Sequence, residues 1–293
     1  MMMVVSAGAL AYSAPAMRVL PSTTARVPPT LMKAAAKGET VKDLAALADS
    51  LNPNVGFWDP LGMVNINLYD KGQEATIGWL RHAEIKHGRV AMAAFVGYCL
   101  QANGIVFPWA ITGGPLAEFT AGLSGKEVEA TTMFSDIAAA GFPNEQWDAV
   151  PTAGKLQILG TIFLLEWVGE MQVPHYTKGG KPGYYPPLKE SELIPHPVPF
   201  NLYDPFELFG EMDEATKQRR LLMEINNGRL AMIGIFGFLC AAKGLDVPLL
   251  NGVIPFYEGE TMAAFGTGDI GLPLVQKMIE FGSALKLDAI AFR

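Results

Sequence analysis

Seven polar side chains sit in or beside strongly apolar stretches of this chain: Glu84, His87, Gln101, Gln157, Glu166, Glu224 and Asn227. Each offers an oxygen or an imidazole nitrogen, the donor types that a hard divalent cation such as magnesium accepts. Glu84 and Glu224 are each followed five positions on by an arginine, Arg89 and Arg229. A carboxylate beside a guanidinium can accept from it with one oxygen and bind a metal with the other, which leaves the site electrically balanced. For Gln101 and Gln157 a hydrogen bond to a neighbouring helix is an equally good reading.

The two acid and base pairs belong to a duplicated block. Glu84-Ile85-Lys86-His87-Gly88-Arg89-Val90-Ala91-Met92 recurs 140 positions later (84 to 224) as Glu224-Ile225-Asn226-Asn227-Gly228-Arg229-Leu230-Ala231-Met232, and each copy runs into an apolar stretch with a matching glycine, Gly97 and Gly237. Residues five apart on a helix stand about 140° apart around its axis, so Glu84 cannot easily reach Arg89. Two helices about a pseudo-two-fold axis resolve this, because Glu84 then meets Arg229 and Glu224 meets Arg89. In lipid the need is acute, since a lone charge there costs roughly 2.5 to 3.5 kcal/mol on insertion scales. Gly88, Ala91 and Ala94, matched by Gly228, Ala231 and Gly234, form the small-residue strip that lets two membrane helices approach closely. The same strip suits helix packing in any protein, and the duplicated charges are what favour the membrane reading.

His87 and Asn227 follow the glutamates by three residues, about 60° around each helix, and can address a second ligand beside the first.

Half of the 293 residues are hydrophobic, only 17% are charged, and the mean hydropathy is +0.22, a balance that leans towards a membrane protein. A net charge of -7 and no basic cluster interleaved with aromatics argue against nucleic acid as a partner. Cys99 and Cys240 lie inside the two apolar stretches without metal-ligand spacing and read as small buried hydrophobes. Residues 1–38 carry no acid, contain Arg18, Arg26, Lys33 and Lys37, and are rich in Ala, Ser, Thr and Pro, the composition of a plastid-targeting or disordered segment. Residues 39–293 then form a single domain.

The elements that must position these side chains are three helices, Trp79 to Asn103, Ala153 to Met171 and Lys217 to Lys243. Hydropathy alone leaves the first and third undecided between buried and spanning, because each opens with charges. Mutual neutralisation of those charges gives each some 20 to 25 residues that a bilayer tolerates. Gly- and Pro-rich connections fill Gly104 to Pro151 and Pro174 to Pro205. Related aromatic and Asp-Pro turns precede both repeated helices, Phe57-Trp58-Asp59-Pro60 and Leu202-Tyr203-Asp204-Pro205. Gly266 to Gly271 fits a dinucleotide-binding pattern as text, but no βαβ unit surrounds it. Leu272 to Leu287 reads as a short amphipathic helix on the membrane surface. Acids such as Glu258, Glu260 and Asp269 read as solvated.

A magnesium tetrapyrrole fits the donor set, since the chlorophyll ion has an open axial position for one oxygen or imidazole. The two blocks, their order, the intervening helix and the Asp-Pro turns resemble the light-harvesting chlorophyll-binding antenna superfamily over roughly residues 55 to 260. Arg81 to Tyr98, with Phe107-Pro108-Trp109 beyond, is most similar to its chlorophyll a/c branch, particularly the dinoflagellate peridinin-containing membrane antennae. The resemblance implies an all-α membrane protein of three transmembrane helices, the first and third a pseudo-two-fold crossing pair with N-termini to the stroma, plus short amphipathic surface helices. It implies chlorophyll a, chlorophyll c and a carotenoid (peridinin or a related xanthophyll) as cofactors. Glu84, His87, Glu224 and Asn227 are then axial magnesium ligands, Arg89 and Arg229 the bridging partners, and Gln157 and Glu166 less closely matched ligands on the middle helix. Trp58, Asp59, Tyr203 and Asp204 become carotenoid neighbours. Where many relatives place a chlorophyll-binding Gln this chain has Ala241, and the repeat points to Gln101 instead.

The implied function is excitation transfer to a photosystem core from the chloroplast thylakoid membrane, in contact with neighbouring antenna subunits and thylakoid lipids. A photoprotective, energy-dissipating member of the superfamily is the alternative within that class. A transporter with an internal repeat would normally need more spans, and no nucleophile or acid–base motif supports an enzyme.

Overall fold

The structure is a computed structural model that describes residues 38–67, 70–112, 132–189, 201, 206, 212–261 and 263–284. The presequence-like segment up to residue 37, and Tyr203 and Asp204 of the second Asp-Pro turn, lie outside the described residues.

Helices dominate. Three are long: α2 (Gln73–Ala102, 30 residues), α5 (Thr152–Glu170, 19 residues) and α6 (Glu214–Ala242, 29 residues). At about 1.5 Å per residue α2 and α6 reach roughly 45 Å and α5 roughly 28 Å. Among the described residues four are short: α1 (Val41–Leu51), α3 (Phe134–Ala138), α4 (Pro143–Ala149) and α7 (Val275–Ala284). A two-stranded antiparallel pair, β1 (Ala110–Thr112) and β2 (Thr132–Met133), follows α2.

The long helices start earlier than hydropathy suggested, α2 at Gln73 instead of Trp79 and α6 at Glu214 instead of Lys217. Their first turns are polar good helix formers, which an apolar pattern does not register. Asp213 caps α6 by accepting from the Thr216 amide at 3.4 Å. The C-termini are duplicated too. After α2, the Gly104 amide donates to the Gln101 carbonyl and Ile105 to Leu100, both at 3.0 Å; after α6, Gly244 donates to Ala241 at 2.9 Å and Leu245 to Cys240 at 3.1 Å. Both turns need a glycine at positive φ, +72° at Gly104 and +75° at Gly244.

Helix α1 falls on residues to which the sequence reading assigned no element. Its start is fixed by Thr40 and Asp43: the Thr40 amide and hydroxyl both donate to Asp43 Oδ2, at 2.8 and 2.7 Å. Its apolar face docks on the start of α2, with Leu44 buried against Val64 and Ile77. In the connection from Gly104 to Pro151, the elements among the described residues (104–112 and 132–151) are short. Gly266 to Gly271 holds one turn of 3-10 helix and no strand, in keeping with the rejection of a dinucleotide site.

Among the described residues one helix, α6, is long and apolar enough to cross a membrane by length and composition. Large apolar side chains stand on the outer surfaces of all three long helices: Leu230, Ile233 and Phe236 on α6, Val90 and Val96 on α2, and Ile162, Phe163 and Leu164 on α5. In water such continuous exposure would be costly; lipid or pigment removes the cost.

Candidate functional site

Helices α2 and α6 cross at Gly88 and Gly228. A methyl group built on Gly228 would lie 2.9 Å from the Gly88 Cα, and one on Gly88 would lie 3.1 Å from the Gly228 Cα, so only hydrogen fits at the contact. About two turns further along, Gly234 receives the Phe95 ring, and Phe95 and Tyr98 stack on Phe238 with centroids 5.0 and 4.9 Å apart. The charges flank this contact as the repeat requires. Arg229 donates from Nε and Nη2 to Glu84 Oε1, both at 2.7 Å, and Arg89 Nε donates to Glu224 Oε1 at 2.6 Å. Neither glutamate turns to the arginine of its own block.

The remaining donors differ in how free they are. On His87, Nδ1 donates to the Ala83 carbonyl at 2.7 Å, which selects the tautomer whose Nε2 carries a lone pair, and the ring is exposed. That is the usual arrangement of a metal-ligating histidine. Asn227, Gln101 and Gln157 present exposed side chains with no recorded partner among the described residues. Glu166, a candidate ligand on the middle helix, is in a tight ion pair with Lys86 on α2. With no donor to its other oxygen among the described residues, the pair repeats the carboxylate-plus-cation pattern of the crossing.

Helix α5 makes no extended packing with α2 or α6. It is tied to them at its two ends by polar contacts. At its C-terminal end, residues 172–185 form a strap across α2: Tyr176 Oη donates to Glu170 Oε2 at 2.9 Å, the Gly183 amide donates to His82 Nδ1 at 3.1 Å, and Arg89 Nη1 donates to the Gly183 carbonyl at 2.6 Å. The buried His82 ring stacks on Tyr176 with centroids 3.9 Å apart. Any side chain at Gly78 would collide with the Tyr176 carbonyl. Burial, and the bond to Glu170, push the Tyr176 phenol above its ordinary pKa.

At its N-terminal end α5 is clamped to the segment after α6. Lys155 Nζ donates to Asp269 Oδ2 at 2.7 Å, with the two side chains only 1% and 2% exposed. Thr152 Oγ1 donates to the same carboxylate, and the Gly266 amide donates to it at 3.0 Å. Tyr257 Oη donates to Asp148 Oδ2 at 2.6 Å, and Trp147 Nε1 to the Ala264 carbonyl at 3.0 Å. Burial alone would raise the Asp269 carboxyl, but the Lys155, Thr152 and Gly266 donors outweigh it and hold the pKa below the usual value. Asp269 is therefore not a solvated acid as its sequence context suggested. Its partner is 114 residues away (155 to 269), and no local pattern announces such a pair.

The first Asp-Pro turn borders a cavity of about 550 Å³ between α1, α2 and α6, lined on its polar side by Arg81, Glu84 and Arg229. Asp59 accepts from the amides of Met63 and Val64 at 2.9 and 3.1 Å, so its carboxylate shapes the turn. Trp58 is 75% exposed. A second, smaller cavity of about 300 Å³ lies beside Ala241 and Phe256, where the sequence reading noted the missing glutamine.

A helical scaffold that pairs charge across a duplicated crossing, with candidate donor side chains facing outward from it, suits a pigment-binding membrane protein. Residues 43–243 match the chlorophyll a-b binding protein family, and the chain belongs to that family. Its curated relatives fall in the chlorophyll a/c branch. The chain is 32% identical to a fucoxanthin-chlorophyll a-c binding protein of Trieres chinensis, over 68% of this chain and 80% of the relative. It is 32% identical to fucoxanthin-chlorophyll a-c binding protein B of Phaeodactylum tricornutum (68% and 79%), and 28% identical to protein F of Macrocystis pyrifera (76% and 89%). These relatives are named for fucoxanthin, whereas the sequence motifs pointed to peridinin.

Proposed function

We propose that this protein is a light-harvesting antenna of the chlorophyll a/c type that holds chlorophylls and carotenoid in the chloroplast thylakoid membrane for a photosystem. The observation that carries the reading is the pair of reciprocal Glu–Arg bridges around the Gly88–Gly228 contact. Bridged in this way, α2 loses its unbalanced charge, and α2, α5 and α6 can all span, with the strap towards the stroma and the Lys155–Asp269 clamp towards the lumen. Relatives named for chlorophyll a, chlorophyll c and fucoxanthin support those pigment classes; a peridinin-type xanthophyll fits the same surfaces. Neighbouring antenna subunits and lipids would meet the exposed apolar flanks.

Bound chlorophyll and carotenoid supply the absorption of light and the passage of excitation. The protein's own work is positional. Glu84 and Glu224 would hold magnesium while Arg229 and Arg89 cancel their charge. His87 Nε2 and Asn227 serve a second pair, and Gln101, Gln157 and the Lys86-balanced Glu166 the outer positions. Trp58 and Asp59, with Tyr203 and Asp204, receive the carotenoid ends. Exposed apolar side chains such as Ile162, Phe163 and Leu164 on α5 and Val90 and Val96 on α2 would lie against the rings.

The test is pigment content after reconstitution. Replacing both members of one bridge, Glu84→Leu with Arg229→Leu, leaves no stranded charge, so the helix pair should still form. One chlorophyll fewer per chain at unchanged helix content is expected; full pigment content would contradict the assignment.

A further inference from the structure

The duplication makes Glu84 and Glu224 look equivalent, but their surroundings are not. Arg81 Nη1 donates to Glu84 Oε2 at 3.2 Å while Arg229 occupies Oε1, so both oxygens of Glu84 are engaged. Glu224 accepts from Arg89 on Oε1, with no donor recorded on Oε2 among the described residues. The asymmetry is written in the sequence: the position 140 residues after Arg81 is Leu221. Arg81 is only 12% exposed, and its Nε donates at 3.1 Å to Glu39, immediately before α1. Glu39, Arg81, Glu84 and Arg229 thus form one chain of alternating charge from the N-terminal segment to α6. The cavity of about 550 Å³ lies beneath α1, with Arg81, Glu84 and Arg229 in its wall.

We propose that Arg81 is a positioning residue that makes the Glu84 site different from the Glu224 site, fixing the carboxylate through its second oxygen and latching α1 over the cavity through Glu39. The proposal rests on the antenna reading for its spectral consequence, not for its mechanical one. A carboxylate with both oxygens engaged is a weaker axial donor than one with a free oxygen. The Glu84 pigment therefore absorbs at a different energy from the Glu224 pigment. Releasing Glu39 loosens α1, which is otherwise held by the small cluster of Leu44, Val64 and Ile77 with Val41 and Leu80, and by the Asn226 side chain donating to the Leu51 carbonyl at 3.4 Å.

The experiment uses the full chain reconstituted with chlorophyll and carotenoid, in three variants. Arg81→Leu, which installs the residue of the second repeat, should shift one chlorophyll band at low temperature and leave the others in place. Glu39→Gln should shift no band. Both should speed tryptic cleavage after Lys42, an exposed residue of α1, about tenfold, the loss expected for one charge-assisted bond that holds a segment closed. Arg81→Lys should recover a large part of both effects. An unmoved spectrum in Arg81→Leu overturns the tuning role, and unchanged cleavage in both variants overturns the latch. If the paired Glu84 and Arg229 replacements cost no chlorophyll, the antenna assignment of the site fails while the cleavage assay still decides the latch.

Discussion

At the residue scale, Glu84 and Glu224 each stand where the arginine of their own block cannot reach and the arginine of the other block can. Arg229→Leu should leave the Glu84 carboxylate with Arg81 alone, cost about 1.5 to 3 kcal/mol and weaken the hold on the chlorophyll there; chlorophyll-to-protein ratio and thermal melting read both effects, and a normal ratio with an unchanged melt would contradict the bridge. Asp269 gives a pH prediction of definite sign. Its carboxyl titrates below the ordinary 3.8 in the folded protein, so its contribution to stability is present above 3.8 and is lost only as pH falls through the lower folded value. The stability difference between wild type and Asp269→Asn should hold constant through mild acid, and a difference that fades well above 3.8 would contradict the clamp. This carboxylate is thus poorly suited to sense lumenal acidification, which removes one support for a dissipative role. The bridge partners were legible because spacing within the block excludes the local pairing and duplication supplies the distant one. Lys155 with Asp269, and Arg81 with Glu84 and Glu39, were not legible, because each breaks the repeat or stands outside it.

At the element scale, the crossing of α2 and α6 depends on two glycines, and the glycines are not interchangeable with others nearby. Gly228→Ala places a methyl 2.9 Å from backbone and should destabilise the pair by about 1 to 3 kcal/mol. Gly97→Ala meets nothing within 4 Å and should be neutral or slightly stabilising as a better helix former. Melting of the two variants side by side separates close approach from propensity; equal melts would argue that the helices do not touch there. The three long helices were readable from apolar stretches, but the starts of α2 and α6 were not, since Gln73 to Gly78 is a mixed turn held by packing of Ile77 and Glu214 to Lys217 is a polar turn capped by Asp213. Helix α1 was missed for a related reason: its signal is the Thr40 and Asp43 capping pair and the short Leu44 to Leu51 face, too brief to stand out against loop. The strap at 172–185 has no periodic pattern at all, and its order comes from His82, Arg89 and Glu170 on other elements.

At the scale of the whole molecule, two features define the antenna. One is a rigid crossing pair; the other is a third long helix held away from it by polar ties at both ends, with apolar faces left open between and around them. A soluble protein of this size would close those faces against one another. Here, the open faces and outward donors make sense together when pigment and lipid complete the core. The fluorescence excitation spectrum of the purified, pigment-loaded protein, monitored at chlorophyll emission, tests this directly. The account predicts that light absorbed in the carotenoid band produces chlorophyll emission with a lifetime that mild acid leaves unchanged. Absence of a carotenoid contribution, or a lifetime that shortens sharply in mild acid, would contradict it.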